Sequence, residues 1–417
     1  MGLFKKRTNE VQTLELSEKR VGLRIGLAAG FLVFGLVCLA IFLVSLLSEE
    51  KGWQAIEPQN AEISTLADEF TLNYNLGSGE LSATKEKKLL SEVYTNALQT
   101  AYMNFDIYAT YDGIANVRYI NLHLNQEIAV SELLYNAFTV ATRDGVRLIY
   151  LGPVQSAYRN VFGSSDDVNA AISDPTKNED SAEYVSQVLS FVNNPEMVSL
   201  ELLGNNTIKL NVAQEYLAFL EEYEIDCCID FSWLANAFVV DYVADILIEQ
   251  GYTNGNLASY DGYIRYLDKS NNEYSLDVYD LHNSVVYPAA LAECKNLSAM
   301  VFWHKYPANQ WDESCYYAYS DGKFANRYID PADGAYKASI ANIISYSKSG
   351  NCAEIAMAMA SVFIADALDE SQIMQMKEMG MYSVWTYDGI VHYNDQAAQI
   401  SKLYTSDSMT YSKEYKE

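Results

Sequence analysis

The sequence predicts an α+β fold, a mixed α/β arrangement in which strands and helices interleave, preceded by one apolar N-terminal segment. Three observations carry this reading. Apolar residues recur at helical spacing over 82–106, 130–143 and 233–250, alternating or wholly apolar runs such as FTLNYNL, TIKLNV and SAMVFWH fall between them, and no repeat or low-complexity tract breaks the pattern.

The first element is the uncharged run over 25–47, whose 23 residues are enough to cross a bilayer as a helix. Lys5, Lys6, Arg7, Lys19, Arg20 and Arg24 precede it against Glu10, Glu15 and Glu18, while Glu49 and Glu50 follow it. The positive-inside rule therefore places the basic tail, 1–24, in the cytoplasm. The run ends in Leu-Leu-Ser-Glu-Glu and lacks a small-residue exit site, so an uncleaved, single-pass cell-membrane anchor is expected, with the main domain extracytoplasmic. Residues 48–66, with Gly52 and Pro58 and no periodicity, are expected to be a linker; 401–417 reads as a polar C-terminal tail.

Between them the text is regular. FTLNYNL from Phe70 alternates as a strand does, and over 82–106 Leu89, Leu90, Val93, Tyr94, Ala97, Leu98 and Ala101 mark a helix face. A second helix over 130–143 opens on Ser131 and Glu132. The polar stretch 164–183 reads as a loop carrying a short helical turn, followed by a helix to about Phe191. TIKLNV (207–212) is a strand. Over 233–250, Leu234, Phe238, Val239, Tyr242, Val243, Ile246 and Leu247 form one apolar face, and Gly251 supplies the stop. SAMVFWH (298–304) and ASIANIISY (338–346) read as buried strands, and 351–368 as a helix whose small residues allow close packing.

Composition excludes several classes. Of 417 residues, 28 are Lys or Arg and 55 are Asp or Glu, a net charge of −27 that argues against a nucleic-acid-binding surface. With 50% hydrophobic and 20% charged residues the chain is too apolar to be disordered. The acidic body is repelled by anionic headgroups and so should stand off the membrane that anchors it. Cys38 lies in the apolar run, leaving Cys227, Cys228, Cys294, Cys315 and Cys352 outside, with no CxxC pair; His123, His282, His304 and His392 lack zinc spacing. None of the four histidines is expected to act as a base, and Cys352 is expected to be a buried structural thiol. The 33 tyrosines are expected in the core and in half-buried sheet positions.

No Gly-rich P-loop, GxSxG elbow, HExxH helix or complete EF-hand loop is present. Three constellations place polar groups beside a glycine or a helix terminus: IDFSWLANAFVVD (229–241), SYDGYIR (259–265) and YIDPADGAY (328–336). Their order and spacing resemble the FAD:protein FMN transferase family, often called ApbE-like, whose members run from an IDLGGIAKGYAVD-type helix opening through a GGD turn to an HIIDP-x-TG segment. Upstream, 116–141 and YLGPVQSAY (150–158) resemble that family's first-half segments, and Glu354 falls where the family has the Asp of A-D-A-x-x-T.

The resemblance implies an ApbE-like domain over 67–400. It also implies an activity: FAD is split at its pyrophosphate, FMN is linked to a Thr or Ser of an exported acceptor protein, and AMP leaves with Mg²⁺ assistance. It points to Ser232, Asn236, Tyr260, Asp261, Gly262, Arg327 and Asp330 as cofactor-binding residues and to Glu354 as a metal ligand.

The departures fall on charge-bearing positions. Ser232, Trp233, Leu234, Ala235, Asn236 and Ala237 replace Gly-Gly-Ile-Ala-Lys-Gly, removing an amine and two glycines, and the bulk of Trp233 is expected to hinder phosphate binding. Asp261-Gly262-Tyr263 replaces the GGD turn. Arg327 stands for the His of HIIDP and cannot act as a base, and Ala358 replaces the Thr hydroxyl. Asp241 and Asp245 are expected to solvate or cap their helix, Asp241 as a structural contact and not a catalytic group. Two readings stay open: a working flavin transferase using FAD and Mg²⁺, and a non-catalytic binding or assembly module that keeps the fold and needs neither.

Overall fold

The computed structural model describes residues 51–59, 69–143, 147–268, 273–309, 314–406 and 409–417. The basic tail and the apolar run over 25–47 lie outside the described residues, among which no helix is long and apolar enough to cross a membrane. Lys51–Glu417 forms one unit.

The chain begins with β1 (Gly52–Ile56) and β2 (Phe70–Leu76), then α1 (Ala83–Phe105), α2 (Val117–Leu122), β3 (Glu127–Ala129) and α3 (Glu132–Ala141). A 3₁₀ turn at Leu148–Leu151 leads to α4 (Gly152–Phe162), α5 (Asp167–Ser173) and α6 (Glu179–Val192). The hairpin β4 (Val198–Gly204) and β5 (Thr207–Val212), α7 (Gln214–Glu222) and α8 (Ala235–Glu249) complete the first half. Strands then dominate: β6 (Gly255–Ser259), β7 (Tyr263–Tyr266), β8 (Glu273–His282), β9 (Val285–Lys295), β10 (Ala299–His304), β11 (Tyr316–Ala318), β12 (Phe324–Asn326) and β13 (Asn342–Ser347). After α9 (Cys352–Phe363) and α10 (Glu370–Glu378) come β14 (Met381–Tyr387), β15 (Ile390–Tyr393), β16 (Gln399–Leu403) and β17 (Ser412–Tyr415).

Local sequence accounts for many boundaries. The Ser131 hydroxyl accepts the Leu134 N–H at 3.1 Å, and the Asn351 side chain accepts the Glu354 N–H at 2.9 Å, so α3 and α9 start on side-chain caps. Gly251, at φ +86°, ends α8 as expected. The polar stretch 164–183 holds the short α5 and the start of α6, capped by Asp166 and Asn178.

Nine strands build the main sheet in the order β1-β2-β6-β7-β10-β13-β14-β15-β17, antiparallel except for β15 and β17. Alternation sorts side chains between its faces. Val301, Trp303, Ile343 and Trp385 join the core beneath α1, α8 and α9, whereas Met300, Ile344 and Val384 face the smaller sheet β16-β9-β8. Trp303 pairs with Ile343 and Ile343 with Trp385, a continuous apolar row across three strands; burying Ile343 alone is worth about 2 kcal/mol. All six residues of β13 are buried, because both faces of this central strand are covered. Tyrosines such as Tyr94, Tyr158, Tyr263 and Tyr346 are wholly buried, as expected of core positions.

Two boundaries differ from expectation. Within the expected linker, β1 pairs along its length with β2, its register running from Gly52 opposite Leu76 to Ile56 opposite Leu72. In the expected polar tail, β17 pairs with β15 and β16 reaches Leu403. Both edge strands are short, too short for alternation to signal them; β17 is polar, and β1 adds the buried Ile56 to its backbone pairing.

Candidate functional site

A cleft of about 300 Å³ opens between the start of α8, the β6–β7 turn and the bend after β12 that carries Arg327. Beside it a pocket of about 160 Å³ shares Glu69, Phe105, Tyr108, Ala235 and Asn236 with the cleft.

The helix opening sets one wall. Ser232 takes φ +49°, the left-handed region that favours glycine, so the backbone keeps a glycine-type turn under a serine side chain. Its N–H is already engaged: it donates to Asp230 Oδ1 at 2.6 Å, and Asp230 also forms an ion pair with Arg159. Trp233 lines the cleft but is buried, with its ring edge-on to Trp303 at 4.9 Å and tilted against Tyr328 at 5.6 Å.

The β6–β7 turn sets the other wall. Asp261 is buried, accepts the Ser259 hydroxyl at 2.5 Å and lies 3.2 Å from the Arg327 guanidinium. Arg327 also donates to Cys315 Sγ at 3.4 Å, while its Nε is buried with no hydrogen-bond partner among the described residues. The Asn236 amide hydrogen-bonds to both Asp261 and Glu69. Burial, reinforced by the nearby Asp261 charge, pushes the Glu69 carboxyl from 4.5 up to about 7, against the Asn236 hydrogen bond and the Arg327 charge.

The cleft thus gathers five of the residues expected from the sequence: Ser232, Asn236, Tyr260, Asp261 and Arg327. Gly262 plays a different part. At φ +94°, a Cβ there would lie 2.1 Å from the Phe302 carbonyl oxygen, so the residue closes the turn against β10 and offers nothing to a ligand. Asp330 is elsewhere: its carboxylate accepts the Ala332 N–H and pairs with Lys337 at 2.8 Å, stapling the turn that lies over α6. Glu354 is in a third location, beside Arg143 at 3.9 Å and lining a separate pocket with Met357, Ala358, Met379 and Met381.

Sequence reading missed Glu69, Gln155, Arg159 and Cys315. Asp230 and Gln155 stand inside the motifs IDFSWLANAFVVD and YLGPVQSAY without being singled out there; Glu69, Arg159 and Cys315 have no local signal, because their roles arise from contacts distant in sequence. Cys352 is a buried structural thiol as expected: burial and the nearby Asp241 raise it far above the ordinary range. All five cysteines among the described residues are free.

Comparison of folds decides the architecture. The ApbE protein of Thermotoga maritima superposes with a TM-score of 0.53 at 13% identity, covering 84% of this chain and 97% of that one. The fold is ApbE-like. Two further similar structures are the flavin transferase ApbE of Vibrio cholerae, with a TM-score of 0.47 at 15% identity over 76% of this chain and 91% of that one, and the flavinyl transferase ApbE of Pseudomonas stutzeri, with 0.46 at 12% over 81% and 92%. No protein-family profile and no curated protein sequence matches the chain.

Within this ApbE-like frame the donors present do not fit a diphosphate. Arg159 and Arg327 are each neutralised by an aspartate, the Ser232 N–H is taken, and Glu69 adds a further carboxyl. Neutral polar side chains such as Gln155, Ser232 and Asn236 also line the cleft. Nor does the surrounding of Glu354 fit Mg²⁺, which needs several oxygens in octahedral array, because Glu354 faces a guanidinium, thioethers and Ala358.

Proposed function

We propose that this chain is a membrane-tethered, extracytoplasmic relative of the FAD:protein FMN transferases that retains the fold and the cleft but has lost the charge chemistry of transfer. It acts as a binding or assembly module. One observation carries the reading: the Asp230 carboxylate engages the Ser232 N–H and the Arg159 guanidinium together, so a backbone donor and a cation at the helix opening are already taken up by the chain's own carboxylate. The anchor and its orientation rest on the apolar run over 25–47 and the basic residues before it.

The test is titration of the full-length chain in detergent with FAD, with and without Mg²⁺, followed by chromatography for AMP after adding a Thr-bearing acceptor protein. The expected result is no Mg²⁺-dependent binding and no AMP. Micromolar binding strengthened by Mg²⁺, with AMP release, would overturn the proposal.

A second reading, retained transfer, draws on Glu69. A carboxyl poised near neutrality in the cleft is suited to accept the proton of an attacking hydroxyl. Under that reading AMP release appears in the same assay and is abolished by Glu69→Gln.

A further inference from the structure

The pocket of about 160 Å³ beside the cleft differs from it in chemistry. Its floor is apolar: Leu98 and Phe105 of α1 and Val239 of α8 belong to the main core, and Phe70 packs against it. Leu98, Tyr102 and Phe105 stand at i, i+4 and i+7, so one face of α1 supplies this wall. The rim carries two carboxyls, Glu69 and Asp106, and two rings that packing leaves open, Tyr102 at 36% exposed and Tyr108 at 72%.

The rim is negative. Among the described residues, no Lys, Arg or His lines the pocket. The Asp106 carboxylate accepts the Tyr108 N–H at 2.7 Å, the Ala109 N–H at 3.2 Å and the Tyr111 hydroxyl at 2.6 Å, uncharged donors that orient its charge without cancelling it. The two carboxyls act on one point: burial raises the Tyr102 hydroxyl above its ordinary value, and Asp106, Glu69 and Tyr108 all push it in the same sense. The Tyr108 ring already faces one cation. The Arg159 guanidinium carbon, which lines the cleft and is balanced by Asp230, lies 5.8 Å from its centre, within the range of a cation–π contact.

Aromatic faces beside carboxyls on a carbon floor select a narrow class of guest. Mg²⁺ and Ca²⁺ need an array of oxygens that this floor does not supply. A neutral apolar guest would cover the floor and leave the carboxyls at the rim uncompensated. An organic ammonium satisfies both, since its charge is spread over methyl groups that pack against rings. Size agrees: a cavity of about 150 Å³ holds benzene, so this one has room for a head of about five heavy atoms.

We propose that this pocket binds the quaternary ammonium head of a small organic cation, with its methyl groups on Phe105 and Val239 and its charge held between Tyr102, Tyr108, Asp106 and Glu69. The proposal deepens the binding-module reading and rests on it, because Glu69 then serves a ligand and not a transfer reaction. Glu69 is faced by Asp261 and Tyr260 of the β6–β7 turn, Asn236 of α8, Tyr102 of α1 and Arg327 beyond β12. Protonated below about pH 7, it gives up its proton to solvent when a cation arrives, so binding strengthens as pH rises.

The experiment is calorimetric titration of the full-length chain in a non-ionic detergent, without FAD, with choline and with its neutral isostere 3,3-dimethyl-1-butanol. At pH 8 choline is expected to bind about 10-fold more tightly than the isostere. It should also bind about 10-fold more tightly at pH 8 than at pH 6, following the ionised fraction of a group that titrates near 7, and Glu69→Gln should remove that dependence. Tyr108→Leu should weaken choline binding about 5-fold while Tyr108→Phe keeps it, because the ring and not the hydroxyl meets the cation. Tyr108 is exposed and its bond to Asp106 is made by the backbone, so both variants fold. Equal affinity for choline and the isostere, no saturable heat from choline, or binding indifferent to Tyr108→Leu would each overturn the proposal. AMP release in the separate FAD assay tells against the binding-module reading, whereas loss of choline binding with no AMP release tells against this site alone.

Discussion

The Arg265 guanidinium lies 3.0 Å from the Asp241 carboxylate, and this pair joins three elements at one buried point. Asp241 projects from α8 and Arg265 from β7. The same carboxylate accepts the Cys352 and Ala353 N–H groups, each at 2.8 Å, which places a negative charge on the N-terminus of α9. Burial opposes the Arg265 charge, but Asp241 and Asp245 outweigh it and hold its pKa above the ordinary value. Asp241 is therefore the structural contact expected of it, made between elements and not only within its helix.

Removing one partner of a buried pair strands the other. Asp241→Ala should lower unfolding free energy by about 3–5 kcal/mol, because it leaves the guanidinium uncompensated and the α9 donors uncapped. Asp245, 2.8 Å from Arg265 but largely exposed, is the control: Asp245→Ala should cost less than about 1 kcal/mol. Denaturant unfolding of the two variants measures the difference.

Glycine at 262 and glycine at 380 share a positive φ but not a neighbourhood. Gly262→Ala meets the Phe302 carbonyl at 2.1 Å, while Gly380→Ala meets nothing within 4 Å. The second should cost about 1 kcal/mol from backbone strain alone, and the first more than about 3 kcal/mol because β10 must move. Equal losses of thermal stability would contradict the role given to Gly262.

Ser232 offers the reverse case. Its strained φ of +49° is relieved by Ser232→Gly, and the bond to Asp230 survives because the donor is the backbone N–H. A gain of roughly 0.5–1 kcal/mol is expected, read as a raised melting temperature.

Glu69 makes stability depend on pH. Its folded pKa of about 7 lies above the ordinary 4.5, so the fold favours the protonated form. This contribution is complete below about pH 4.5 and is lost as pH rises through about 7. Glu69→Gln fixes the neutral form, and at pH 8 it should stabilise the chain by about 2 kcal/mol relative to wild type while changing little at pH 4. Parallel stability curves for the two proteins across that range would refute the assignment.

Periodicity made the inner elements legible. Phe70–Leu76, Thr207–Val212 and Ala299–His304 match the strands read from alternating or wholly apolar runs, and Ala235–Glu249 matches its apolar face and its Gly251 stop. The expected strand over 338–346 is displaced to Asn342–Ser347, and the helix over 351–368 ends at Phe363. The long hairpin of β8 and β9 went unread although Leu276, Val278 and Asp280 are buried at alternate positions. In the site, residues grouped by motif separated in space wherever a turn intervened. Arg327 reaches Asp261, yet Asp330, three residues on, turns to Lys337. Such reversals depend on partners brought in by the fold, which no local pattern encodes.

Of the described strands, the two at the edges of the main sheet, β1 and β17, are also the first and the last to be synthesised. The β15 edge therefore stays unpaired until residue 412 has emerged, an interval of about 1–4 s at ordinary translation rates. An open edge is a template for a neighbouring chain. Among its described strands the main sheet thus passes through a brief stage in which only β17 is missing, and during that stage a chaperone would shield the β15 edge.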